Sequence, residues 1–159
     1  MYSDLWGPSP VLSIEGYRYY IVFVDAFTRY TYPIRQKSDT LNVFKTFHKF
    51  AELQYNSKLR ALHTDNGREF KALVPYLASY GIQPRFSCPY THQQNGVAER
   101  KHRHITEMGL ILLSHSKMPL KFLVEAFQME VFTINLLLVA PLQFQSPFEK
   151  LYHKFPNYL

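Results

Sequence analysis

Three acidic residues, Asp4, Asp65 and Glu99, stand at points where the pattern of the chain changes. Asp4 is expected near the end of a first strand, Asp65 at the C-terminal end of a later strand just before Asn66-Gly67, and Glu99 in the first turns of a helix. Carboxylates brought together from separate elements suit a hard divalent cation, which prefers oxygen ligands and keeps several waters for a substrate phosphate to displace. The chemistry that such a cluster serves is phosphodiester cleavage and transfer, in which two ions ~3.5–4 Å apart clamp the attacking and leaving oxygens of an in-line displacement. Taken singly, each acid has a plainer reading as a solvated charge, a cap or, at Asp65-Asn66-Gly67, a turn. Only the joint context raises them above that.

The elements that would position these groups follow from residue patterning. Residues 17–34 are rich in β-branched and aromatic types around a turn at 25–29, which predicts a β-hairpin. Ser38 is placed to cap a helix over about 39–54, with Val43, Phe44, Phe47, Phe50 and Ala51 as its buried stripe. A short strand over 58–64 ends at Asp65, a helix over 69–80 is complicated by Pro75 and stopped by Gly81, and a strand over 82–87 follows. After a polar stretch at 89–95, Val97, Ile105, Met108 and Leu112 mark the apolar face of a helix running to about 116. Two further helices are expected over 119–139 and 146–152. The order β-β-β-α-β-α-β-α-α-α predicts an α/β layered fold with a mixed five-stranded sheet flanked by helices.

A chain of 159 residues with 47% apolar content fits one domain, spanning 1–159. Only three residues precede Asp4, so the first strand is expected to be truncated, and the C-terminal helices to begin at about 119. A formal charge of +6 favours a polyanionic partner without requiring one. Cys88 is the single cysteine, which excludes an internal disulfide and a Cys-rich zinc site and favours a reducing compartment. The longest apolar stretch, 131–142, is broken by Thr133, Asn135 and Pro141 and is too short to span a bilayer, so no membrane association is expected. The first residues lack the basic and apolar regions of a secretory signal.

Three segments occur in order: Tyr2-Ser3-Asp4-Leu5-Trp6-Gly7-Pro8, His63-Thr64-Asp65-Asn66-Gly67-Arg68-Glu69-Phe70 and Gln93-Gln94-Asn95-Gly96-Val97-Ala98-Glu99-Arg100. Together they resemble the integrase of copia-type long-terminal-repeat retrotransposons. The 34-residue interval from Asp65 to Glu99 is close to that between the last two catalytic acids of retroviral-type integrases. The likeness continues through Tyr20-Ile21-Val22-Phe23-Val24-Asp25, Pro119-Leu120-Lys121-Phe122 and Ser146-Pro147-Phe148-Glu149-Lys150-Leu151, and so covers essentially the whole chain. It implies a ribonuclease H-like fold, catalytic and metal-binding roles for Asp4, Asp65 and Glu99 with Mg²⁺ or Mn²⁺, and a nuclear role. The reactions it implies are trimming of the 3′ ends of the element's cDNA and strand transfer of those ends into host chromosomal DNA, by an enzyme that works as a homo-oligomer. In that family this core lies within a larger Pol polyprotein, between a zinc module and a reverse transcriptase.

Around this core, His102 and Arg103 lie at i+3 and i+4 from Glu99, share its helix face and are expected, with Arg100 and Asn95, to contact DNA phosphate. Asn95-Gly96 would also let the backbone turn and expose amides at a helix start. His63 shares the strand face of Asp65 and is expected to orient it rather than to bind an ion. Asp25 reads as a turn residue, Glu69 as a first-turn acid favoured by the helix dipole, and His92, His102 and His104 lack the cysteines of a zinc site. The chain departs from the family at Leu123, where Trp is usual, at Glu130, where a small residue is usual, and at Asn135-Leu136-Leu137-Leu138, which stands for Asn-Arg-x-Pro. These changes bear on stability and DNA contacts and leave the acids intact. A decayed domain that binds nucleic acid without turnover is therefore one alternative, and a nuclease of ribonuclease H type is another, since fold does not fix function.

Overall fold

The computed structural model describes residues 1–36, 39–87 and 96–158. Five strands form one mixed sheet in the order β3-β2-β1-β4-β5. They are β1 Tyr2–Trp6, β2 Tyr19–Val24, β3 Thr31–Gln36, β4 Ala61–Thr64 and β5 Gln83–Phe86. β1 runs antiparallel to β2 and β2 to β3, whereas β1 with β4 and β4 with β5 are parallel. Pro33 sits opposite Val22 on β3, an edge strand where the missing N–H costs no ladder bond on the open side.

Alternation along β2 assigns the two faces. Ile21 and Phe23 point into one core with Phe44 and Phe47 of α1 (Thr40–Tyr55), Phe70 of α2 (Arg68–Lys71), Leu77 of α3 (Val74–Ser79), and Leu62 and Ile82. Tyr20 and Val22 point into the other, against Ile105 and Leu113 of α4 (Gly96–Ser116) and Phe127, Val131 and Ile134 of α5 (Leu123–Leu136). A last helix, α6 (Pro147–Tyr152), is held by a capping box between Ser146 and Glu149, which gives a local physical reason for the Ser146-Pro147-Phe148-Glu149 segment.

Several expectations need correction. Ser38 lies outside the described residues, and the cap of α1 is Asp39, whose side chain accepts from Asn42 N. Phe50 is 49% exposed rather than part of the α1 stripe. The helix expected over 69–80 is two helices, because Pro75 in the first turn of α3 has no N–H to give and its ring would crowd the carbonyl one turn earlier. On α4 the buried residues are Gly96, Ala98, His102, Ile105, Gly109 and Leu113, whereas Met108 and Leu112 are exposed.

Asn135 shows why that departure-prone stretch still folds. Its Oδ1 accepts from Thr31 N at 2.9 Å and its Nδ2 donates to Thr31 O at 2.8 Å, so one buried amide satisfies both backbone groups at the start of the edge strand. Asn135→Ala leaves that donor and acceptor unpaired and is expected to cost about 2–4 kcal/mol, read as a lower midpoint in denaturant unfolding. An unchanged midpoint would show that water replaces the amide without loss.

Candidate active site

Asp4 is the central residue of β1, not near its end as expected, and Asp65 follows directly after β4. The parallel register pairs Tyr2 with His63. Continued two residues past that pair, the register would bring Asp4 level with Asp65, and the Asp4 charge does act on the Asp65 carboxyl. Ring contact between Tyr2 and His63, with centroids 4.7 Å apart, marks that face. It is the face under α4: His102 Nδ1 donates to Asp4 Oδ2 at 2.8 Å, and Tyr20 packs edge-on to the His102 ring. Glu99 lies three residues before His102, one helical turn along the same side of α4. The two aspartates thus belong to the neighbouring inner strands β1 and β4, Asp4 facing α4, and Glu99 stands on α4 one turn before the Asp4 partner His102.

The electrostatics fit a cation. Burial pushes the Asp65 carboxyl above its ordinary value, the hydrogen bond from Gly67 N to Asp65 Oδ1 works the other way, and the negative charges of Asp4 and Glu69 push it up again. A desolvated carboxylate beside two others is stabilised by a positive charge, and an all-oxygen donor set matches Mg²⁺ or Mn²⁺. Among the described residues no three His, Cys, Asp or Glu side chains are gathered tightly enough to enclose an ion. The donor chemistry therefore fits while the side chains stand apart, with Asp4 engaged by His102.

The other expected residues fall in different places. His102 is 5% exposed and turned inward onto Asp4, so it is a partner of the carboxylate and not a phosphate contact at the surface. Arg100 and Arg103 are exposed on α4. Asn95 lies outside the described residues. Gly96 has no left-handed backbone angle, and the space a side chain would fill is taken by the Arg100 guanidinium, 2.9 Å from where its Cβ would be. His63 is half-buried against Tyr2, and burial holds its imidazole below the ordinary value. Glu69 was read as a helix-dipole acid alone, yet its charge acts on Asp65 and its carboxylate folds over Gly67. Asp25 is a turn residue, its Oδ2 accepting from Phe27 N, Thr28 N and Thr28 Oγ1. Glu130 is buried in α5 with its Oε1 3.1 Å from His104 Nε2, which gives this departure from the family a polar partner. Burial and the Arg29 charge lower the Lys101 ammonium, while Glu130 acts in the other direction.

Residues 1–92 match the family described as the integrase core domain, a stretch that includes Asp4 and Asp65. The chain belongs to the integrase core domain family. It is 49% identical, over 99% of its own length, to a retrovirus-related Pol polyprotein from transposon RE2 of Arabidopsis thaliana. The kinship with copia-type Pol polyproteins expected from the motifs holds, and the chain spans only 11% of that polyprotein. Among solved structures it is similar to the simian T-cell lymphotropic virus intasome in complex with PP2A regulatory subunit B56 gamma, with a TM-score of 0.71 and 19% identity over 99% of this chain and 55% of that one. It is also similar to the HTLV-2 integrase catalytic core domain in complex with magnesium, in a trimeric form, with a TM-score of 0.63 and 19% identity over 94% of this chain and 93% of that one. At such identity the likeness carries the fold, and the ribonuclease H-like architecture of the integrase core is the fold of this chain.

Proposed function

We propose that this chain is the catalytic domain of a retrotransposon integrase, acting in the nucleus as part of a homo-oligomer on the element's cDNA ends and on host DNA. The observation that supports the proposal most is the nearness of Asp4 and Asp65, whose charges act on each other beside the parallel β1–β4 pairing, with Glu99 one turn before the Asp4 partner His102 on α4. Asp4, Asp65 and Glu99 would hold Mg²⁺ or Mn²⁺, as magnesium is held by the similar HTLV-2 core. Bound divalent cations would supply positive charge to the attacking and leaving oxygens of a phosphodiester exchange.

The remaining work belongs to the protein's own groups. His102, fixed by the core and donating to Asp4 Oδ2, limits the rotation of that carboxylate. Asp4 within β1 and Asp65 just after the parallel β4 are anchored by the sheet, which is the kind of preorganisation that aids a reaction with little covalent chemistry for the protein to perform. Exposed Arg103, one turn from Glu99, would take a DNA phosphate beside the carboxylates and offset their repulsion of the polyanion. No covalent protein intermediate is needed for either 3′-end trimming or transfer of the freed 3′-hydroxyl.

A second reading, a nucleic-acid-binding domain without turnover, is favoured by one observation, the engagement of Asp4 by His102. Strand transfer of a pre-trimmed duplex end into plasmid DNA separates the two. Product that depends on Mg²⁺ or Mn²⁺ supports the enzyme, and salt-sensitive DNA binding with no product at any divalent-ion concentration supports the binding domain.

A further inference from the structure

The face of α4 turned away from the carboxylates carries a second cationic feature. Residues 97, 100, 101 and 104 are spaced i, i+3, i+4 and i+7 and form one stripe of the helix, whereas Glu99, His102 and Arg103 form another. The first stripe borders a pocket of about 320 Å³ whose polar rim is Arg29, Arg100, Lys101 and His104. Its walls are apolar, formed by Val97, Val139 and Pro141. No carboxylate lines it, although Glu130 contacts the rim residue His104 and acts on Lys101. Among the described residues no ion pair engages Arg29, Arg100 or Lys101.

Arg29 reaches this pocket from the β2–β3 turn in an unusual conformation. Its φ is +60°, a left-handed value that glycine or asparagine adopts more cheaply, and Arg29 N donates to Asp25 O to close the turn. Arg29 shares this backbone region with five other non-glycine residues, and of the six it is the one whose side chain lines this pocket. The other contributor of full positive charge to this rim is α4, so the turn and the helix bring like charges together, with Glu130 the acid that acts on them, through His104 and Lys101.

We propose that this pocket binds a backbone phosphate of nucleic acid, a contact additional to any at Asp4, Asp65 and Glu99. Cationic groups at the rim take the phosphate oxygens, and the apolar walls take the adjoining deoxyribose, a pairing that suits a phosphodiester better than a free phosphate ion. The two stripes centre on different sides of a helix about 10 Å across, with Arg100 and Arg103, an i, i+3 pair, at their common border. This inference rests on the integrase reading, and gives that reading a second DNA contact on another side of the helix.

The test is duplex-DNA binding against salt concentration for the wild-type chain, Arg29→Gly and Arg29→Lys, with denaturant midpoints for each. Arg29→Gly removes the charge and suits the left-handed backbone, so its midpoint should equal or exceed that of wild type while its affinity falls several-fold. The slope of log affinity on log salt should become shallower by about 0.9, one phosphate contact, and Arg29→Lys should restore most of both. An unchanged affinity and slope for Arg29→Gly, with wild type binding normally, would overturn the pocket and leave the integrase reading intact. If wild type shows no salt-dependent DNA binding at all, both fall. If inorganic phosphate binds in an Arg29-dependent way while the duplex slope is unmoved, the occupant is a free anion and the nucleic-acid assignment is wrong.

Discussion

Phe127→Ala is expected to lower the stability of this domain by about 3–5 kcal/mol, the usual cost of removing a buried aromatic side chain. Phe127 is 1% exposed and joins three elements. Its ring meets Trp6 of β1 edge-on at 5.5 Å and Tyr20 of β2 at 5.3 Å, and a Cβ placed on Gly109 of α4 would stand 2.5 Å from its Cδ1. Gly109 is thus the notch in α4 that admits the ring. The same geometry predicts that Gly109→Ala destabilises despite a helix-propensity gain of about 1 kcal/mol, because overpacking typically costs about 1–3 kcal/mol. Denaturant unfolding measures both, and the two changes should be non-additive since they share one contact. Because Phe127 seats α4 on β1, its loss should also loosen Glu99 relative to Asp4. A midpoint for Phe127→Ala within about 1 kcal/mol of wild type would mean that the helix pair repacks without it.

Glu99→Gln should abolish strand transfer, by at least about 10²–10³-fold, while DNA affinity stays near that of wild type. The substitution keeps the shape of the side chain and removes only its charge, so the helix and its packing should not change. Affinity for a duplex comes mainly from cations on phosphates, and removing a carboxylate from a polyanion's path cannot weaken that term. Arg103→Ala should show the opposite pattern, with weaker binding and a shallower salt slope. Wild-type turnover in Glu99→Gln would remove Glu99 from the catalytic set and move attention to Glu69, whose charge already acts on Asp65.

The strands and helices were largely legible because their apolar residues repeat with the right periods, and the motifs around Asp4 and Asp65 announced the family. What patterning could not supply was the parallel register between β1 and β4, since nothing local pairs Tyr2 with His63. The buried face of α4 was misplaced for a related reason. A search for apolar periodicity favours Met108 and Leu112, yet the residues facing the sheet include His102, buried by its bond to Asp4, and Gly109, chosen for the absence of a side chain. Buried polar and small residues are invisible to a hydrophobic pattern. His102 was read as a phosphate contact because its charge type suits one, and only packing shows that its ring is turned inward. Arg29 carried no sequence mark, as left-handed backbone at an arginine becomes apparent only with the turn in hand.

The central claim is that Asp4, Asp65 and Glu99 share a divalent-cation site, and calorimetric titration of Mn²⁺ into the folded chain tests it most directly. Wild type should bind saturably, and Asp65→Asn, which removes the carboxylate already crowded by Asp4 and Glu69, should lose that binding while keeping its circular dichroism spectrum. An Mn²⁺ isotherm for Asp65→Asn indistinguishable from that of wild type, or no binding in wild type, would contradict the account.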